Sequence, residues 1–211
     1  MNLVLLGAPG SGKGIQAESL SNYFKVKKII LGDILREEVK KGSYLGKKVK
    51  EFMEKGELVP DEIVNEMIKA HIDSKGFVMD GYPRNLSQAE NLDMILKEKR
   101  LQLDKVIYLD VKKETAVKRL SGRRVCRKCG AIFHIKNMPP KNEGICDFCG
   151  GPLYQREDDY PEVIERRWEI FEKEVKVIVD YYKKQDKIIF LVADKDKEEV
   201  FREIIRSVGN G

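Results

Sequence analysis

The residues of this 211-residue sequence that can do chemistry gather in two places. The first is Gly7-Ala8-Pro9-Gly10-Ser11-Gly12-Lys13, set between an apolar run and a helical pattern from Gly14 through Phe24. The spacing G-x-x-x-x-G-K is that of a loop that cradles phosphates. Glycines let successive backbone N–H groups turn inward, the following helix N-terminus adds partial positive charge, and Lys13 supplies a mobile cation for the β and γ phosphates. At the next position Gly14 stands where such loops usually place the Ser or Thr that touches Mg2+. Any Mg2+ must then be held by phosphates and waters and oriented by nearby carboxylates. Asp80, ending an apolar strand, is the first candidate. Asp33 is the second, and it also fits a helix N-cap before Ile34-Leu35.

The second place is Cys126-Arg127-Lys128-Cys129 with Cys146-Asp147-Phe148-Cys149, two C-x-x-C knuckles 16 residues apart. Four thiolates at this spacing point to structural Zn2+, because a filled tetrahedron leaves no open position for water. Iron and reversible disulfides are the alternatives. Arg123, Arg124, Arg127 and Lys128 make the cluster basic. A nucleic-acid-binding ribbon would need interleaved aromatics for stacking, and Glu157, Asp158 and Asp159 follow instead, so no nucleic acid is expected.

The elements that must position these groups alternate. Five apolar runs read as strands: Leu3 to Leu6, Lys28 to Leu31, Phe77 to Asp80, Val106 to Leu109 and Ile188 to Val192. Helical patterns separate them. This predicts an α/β fold with a parallel sheet buried by helices on both faces. Ser43 caps one helix and Gly56 ends it, Pro60-Asp61 opens another that stops near Gly76, and Ser87 starts a third. The longest begins at Pro161, and its stripe of Ile164, Trp168, Phe171, Val175, Ile178 and Tyr182 reads as core packing rather than a cofactor box. Residues 122 to 160 break the alternation. They read as an inserted mini-domain too small to fold without a metal staple. His71 and His134 are expected to be structural.

Composition limits the rest. Charged residues are 36% of the chain, against roughly 25% in an average globular protein. The net charge of +5 suits an anionic substrate and is too small to require nucleic acid. No secretory signal pattern is visible, and no apolar run approaches the roughly 20 residues of a membrane span. A cytoplasmic location with no membrane partner is expected, and reduced thiols there favour metal over disulfides.

At this point the chain resembles the adenylate kinase family along nearly its whole length. The similarity is carried by Gly7 to Ala17, Gly32-Asp33-Ile34-Leu35-Arg36, Asp80-Gly81-Tyr82-Pro83-Arg84 with Gln88, Gly122-Arg123-Arg124, Arg156-Glu157-Asp158-Asp159 and Arg167. The resemblance implies a P-loop core with a five-stranded parallel sheet over residues 1–29, 60–121 and 160–211. To this it adds an AMP-binding flap over 30–59 and a zinc-binding lid over 122–159. It implies Mg2+-dependent transfer between ATP and AMP to give two ADP, by a monomer. ATP would meet Gly10, Ser11, Gly12, Lys13, Gly14, Ile15, Arg119, Arg123, Ile132 and Phe133. AMP would meet Leu31, Arg36, the backbone of Glu57, Leu58 and Val59, then Gly81, Tyr82, Pro83, Arg84, Gln88, Arg156 and Arg167. Lys13, Arg84, Arg123, Arg156 and Arg167 would be catalytic, since phosphoryl transfer needs charge neutralisation and alignment. Closure of the lid would exclude water, with hinges near Gly122 and Asp158-Asp159. Three positions depart from the family pattern. Ile15 and Leu31 replace threonines, and Val192-Ala193-Asp194-Lys195 replaces an Asp-Gly turn where the ATP adenine binds. Leu31 keeps UMP or CMP open as the acceptor, whereas Gln88 favours AMP.

Overall fold

The computed structural model describes residues 1–209; Asn210 and Gly211, the end of the expected core, lie outside the described residues. Strands β1 (Asn2–Gly7), β2 (Lys27–Ile30), β3 (Phe77–Asp80) and β4 (Lys105–Asp110) alternate with helices α1 (Lys13–Phe24), α2 (Leu31–Lys40), α3 (Tyr44–Glu54), α4 (Asp61–His71) and α5 (Leu86–Glu98). After α6 (Lys113–Ser121) come three short strands, β5 (Arg123–Cys126), β6 (Ile132–His134) and β7 (Leu153–Tyr154). A 3-10 turn at Glu157–Asp159 leads into α7 (Pro161–Lys183), β8 (Ile188–Val192) and α8 (Lys197–Gly209).

β1, β2, β3, β4 and β8 form one parallel sheet in the order β2-β3-β1-β4-β8. Its two faces are legible residue by residue, because side chains alternate along a strand. Val4, Leu6, Phe77, Met79 and Val106 face a core shared with α2 to α5. Leu3, Leu5, Val78, Ile107 and Leu109 face the opposite core, shared with α1, α6 and α8. α7 reaches both, contributing Trp168 to the second core and Ile178 and Tyr182 to the first. β8 is an edge strand rather than one buried on both faces: Phe190 is 48% and Val192 52% exposed.

Several boundaries differ from expectation for local reasons. Leu31 does not end β2; it opens α2 and is buried. Asp33 is therefore not an N-cap but lies in the first turn of α2. α5 begins at Leu86 because Asn85, a strong cap, accepts the Gln88 N–H at 2.8 Å; Ser87 is already helical. α4 stops at His71, where Ile72 turns extended, well before Gly76. Ser43 does cap α3, accepting from the Gly46 N–H at 2.9 Å.

The inserted segment is a three-stranded antiparallel sheet in the order β6-β5-β7. Its own core is only Cys126, Phe133 and Cys146 with a few flanking apolar groups. So small a core cannot offset the ordering entropy of the segment.

Candidate active site

β1 delivers the phosphate cradle to the carboxyl end of the sheet, where ligands of open α/β folds bind. Gly10 has φ 85°, and a Cβ there would lie 2.6 Å from the Ala116 carbonyl oxygen, so only glycine fits. α1 starts at Lys13 with no side-chain cap and no acid in its first turn, which leaves its positive end bare. The N–H groups of Gly10, Gly12, Lys13 and Gly14 have no acceptor among the described residues. Those of Ser11 and Ile15 are already used, on Ala8 and Gly12 carbonyls. The Lys13 ammonium folds back onto the Gly7 and Ala8 carbonyls at 2.8 and 2.9 Å. Burial, helped by the positive charge of Arg84, Arg167 and Arg123, outweighs the pull of Asp80 and lowers its pKa to about 8.

The cradle opens on a cavity of about 600 Å3. Every residue that the sequence analysis assigns to ATP, AMP or Mg2+ lines it, with one exception. Tyr82 is fully buried beneath the cavity; its hydroxyl donates to Asn65 Oδ1 at 2.8 Å and accepts from Asn91 Nδ2 at 3.0 Å. It supports the loop that carries Arg84 and does not line the site.

The arginines converge as expected, but acids are interleaved among them. Arg123 forks onto Asp159 through Nε at 2.8 Å and Nη2 at 2.6 Å, and Asp159 is fully buried. Burial works against the Arg123 charge, yet that carboxylate holds its pKa above the ordinary value. Arg167 donates to the Asp158 carbonyl at 2.8 Å and pairs with its carboxylate at 3.0 Å. Asp158 is opposed by burial, but Arg167, Arg36, Arg123 and Arg156 together pull it below the usual carboxylate range. Asp33 pairs with Arg36 at 2.6 Å and Arg156 at 3.7 Å. Even so, positive charge is in excess. Burial and the neighbouring Arg167 lower Arg84 to about 10, and burial with Arg36 and Arg123 lowers Arg156 to about 10. Arg156 Nε is buried with no acceptor, an N–H that a bound anion would satisfy.

The two carboxylates named for Mg2+ separate clearly. Asp33 is engaged by arginines, whereas the Asp80 carboxylate makes no hydrogen bond or ion pair among the described residues. Asp80 Oδ2 lies 3.6 Å from where a Cβ on Gly14 would sit, beside the start of α1. A free carboxylate at the lip of a phosphate cradle is the hard oxygen donor that Mg2+ favours, directly or through water.

The cavity is also lined by Arg119, His134, Ala193, Lys195 and Val200. Arg119 Nη2 donates to the Ala193 carbonyl at 2.9 Å, so the departure at Val192-Ala193-Asp194-Lys195 leaves this wall intact. Phe171 and Val175, read from sequence as core, also line the cavity. His134 has a role the sequence did not reveal. Its Nδ1 accepts from the Lys136 and Asn137 N–H groups at 3.0 and 3.1 Å, so Nε2 carries the proton and donates to the Lys118 carbonyl at 3.1 Å. It ties β6 to the end of α6 across Gly122, where a Cβ would lie 2.3 Å from the ring nitrogen. His71 Nδ1 bonds the Met67 carbonyl at 2.7 Å within its own helix.

The four cysteine sulfurs lie within 4.8 Å of one another. Cys126–Cys149 and Cys129–Cys146 are 3.4 and 3.6 Å apart. A tetrahedron with metal–sulfur bonds of about 2.3 Å has edges near 3.8 Å, whereas a disulfide needs about 2.05 Å, so the set fits a metal. The backbone N–H of Cys129, with that of Lys128, lowers Cys126 to about 6, while the neighbouring thiols Cys149, Cys146 and Cys126 push Cys129 up to about 12, so without a cation among them the four sulfurs do not all ionise together. Of the basic residues flanking the knuckle, Arg127 stacks on Tyr154 at 4.2 Å and Arg124 donates to the Ser121 and Arg123 carbonyls. No helix among the described residues is long and apolar enough to cross a membrane.

Comparison with known proteins agrees with this geometry. The family model described as adenylate kinase matches residues 5–187. An adenylate kinase of Caldicellulosiruptor bescii is 46% identical, covering 99% of both chains. One from Archaeoglobus fulgidus is 47% identical over 97% of this chain and 96% of its own. One from Clostridioides difficile is 43% identical over the full length of both. With the phosphate cradle, the arginine cluster and the cysteine tetrad each in place along a match of this extent, the chain belongs to the adenylate kinase family of phosphotransferases.

Proposed function

We propose that the protein catalyses reversible, Mg2+-dependent transfer of a phosphoryl group between ATP and AMP, giving two ADP. One observation carries this reading: Lys13 and Arg36, Arg84, Arg123, Arg156 and Arg167 line a single cavity together with the cradle and Gln88. A site with that charge suits two phosphate chains meeting end to end. The free N–H groups of Gly10, Gly12, Lys13 and Gly14 hold the donor's phosphates. Lys13 and Arg123 neutralise the oxygens around the transferred group. Arg84, Arg36, Arg156 and Arg167 hold the acceptor phosphate in line, where proximity removes much of the barrier. Mg2+ at Asp80 supplies further charge neutralisation when bound.

Three working parts follow from this reading: a core of residues 1–29, 60–121 and 160–211, an AMP flap over 30–59 and a lid over 122–159. The lid closes over bound nucleotide and keeps water from the transferring group. Cys126, Cys129, Cys146 and Cys149 hold a structural Zn2+ that keeps the lid rigid. Since one chain carries every group required, the enzyme acts as a monomer, in the cytoplasm, without nucleic acid.

The test incubates the purified protein with Mg2+, ATP and each nucleoside monophosphate and measures the diphosphates formed. AMP is expected to be the best acceptor. Higher turnover with UMP or CMP would overturn the AMP assignment.

A further inference from the structure

Gln88 is buried at 1% exposure, lines the cavity, and has both ends of its amide committed. Its Oε1 accepts from the Arg84 backbone N–H at 2.8 Å, and its Nε2 donates to Asp61 Oδ1 at 2.8 Å. Asp61 opens α4, and its carboxylate also accepts from Asn85 Nδ2 at 3.0 and 3.2 Å. Asn85 in turn caps α5 by accepting the Gln88 N–H at 2.8 Å. Gln88 is therefore held by its backbone and by both side-chain atoms. Turning the amide over would set Nε2 against the Arg84 N–H and Oε1 against the Asp61 carboxylate, two repulsions in place of two bonds.

We propose that Asp61 is a specificity-determining positioning residue, which locks the Gln88 amide in the one orientation that reads a 6-amino purine. This rests on the reading that the Gln88 arm receives the base of the acceptor. With one N–H and one oxygen lone pair committed, Gln88 offers one N–H and one lone pair to a base. Adenine's N1 accepts and its 6-amino group donates, so both can be satisfied. Hypoxanthine and guanine present the reverse, an N1–H donor and an O6 acceptor. Against a locked amide they face donor with donor and oxygen with oxygen. A free amide would rotate and accept either base. A buried site rejects a ligand that leaves its polar groups unpaired far more strongly than one that merely fits loosely. Asp61 gains its leverage from its charge: a carboxylate resists an approaching carbonyl oxygen more than a neutral acceptor does.

The experiment compares AMP and IMP as acceptors, with saturating ATP and Mg2+, for the full chain, Asp61→Ala, Asp61→Asn and Gln88→Ala. The readout is the ratio of kcat/KM for AMP to that for IMP. The ratio is taken within one preparation, so any loss of folded protein cancels. The unaltered protein is expected to prefer AMP strongly. Asp61→Ala is expected to reduce that preference about ten-fold or more, with KM for AMP rising more than kcat falls. Asp61→Asn, whose carbonyl can still accept from Gln88, is expected to fall between. An unchanged ratio in Asp61→Ala, while Gln88→Ala loses the preference, would overturn the lock but leave the acceptor reading standing. An unchanged KM for AMP in Gln88→Ala would instead overturn the acceptor reading.

Discussion

Lys13 in the free protein titrates near pH 8, and binding of a phosphate chain must change that. The sign follows from charge: phosphate oxygens favour the ammonium, so the bound pKa lies above the free one and binding takes up protons. At pH 8 about half of the free protein carries neutral Lys13, so binding an ATP analogue should take up about half a proton; at pH 6.5 it should take up about 0.03. Affinity should therefore be nearly flat below pH 7 and fall as pH rises through 8, toward ten-fold per pH unit above it. Arg84 and Arg156, near 10, add little in this range. The assay is calorimetry with a non-transferable ATP analogue and Mg2+, in two buffers of different ionisation enthalpy. The difference in apparent heat at pH 8 gives the proton count. Lys13→Arg is the control, because guanidinium stays charged and should bind without uptake. No buffer dependence at pH 8, or equal uptake in Lys13→Arg, would refute the argument that burial lowers this lysine.

Three further outcomes are expected. Arg84→Ala and Arg123→Ala should each lower turnover by at least about a hundred-fold, the usual loss when a donor aimed at developing charge is removed. Arg123→Ala should also lower the unfolding temperature, since it leaves the buried Asp159 carboxylate with only Arg167, 3.7 Å away; equal stability of the two variants would show that this pair is not coupled to the fold. Replacing Cys126 and Cys129 by Ser should release one Zn2+ per chain and lower thermal stability while sparing part of the activity at mild temperature. Metal content, unfolding temperature and turnover measure this, and full stability without metal would remove the staple. Gly122→Ala should drive its new methyl into the His134 ring and raise KM for ATP several-fold with little change in unfolding temperature, so a normal KM would show that this contact does not set the lid.

Much of the site was legible in the sequence because it is written in local spacing. The cradle needs seven consecutive residues and each cysteine knuckle four, and both lie where their patterns put them. The alternation of apolar runs gave the parallel sheet for the same reason. What escaped depends on partners distant in sequence. Asp159 is an ordinary acid until Arg123, 36 positions earlier, folds onto it. Asp61 looked like a helix start, and only the packing of α4 on α5 brings it to Gln88, 27 positions away. Tyr82 sits inside the most distinctive motif, yet it faces the core because its neighbours in a tight loop cannot all face one way. Phe171 and Val175 obey the helical period of α7, but periodicity does not distinguish a wall of protein from the wall of a cavity.

The strand that carries the chain into the inserted segment lies beside the strand that carries it out: Val125 pairs with Tyr154 and Cys126 with Leu153. From the core's side, the whole excursion begins and ends as a hairpin stem. Its length is therefore nearly invisible to the rest of the molecule, because loop-closure entropy grows only with the logarithm of loop length. The site feels only the first part of the excursion, through Ile132, Phe133, His134, Asn137 and Met138. The chain from there to Leu153 can change length without renegotiating a single pairing of the parallel sheet.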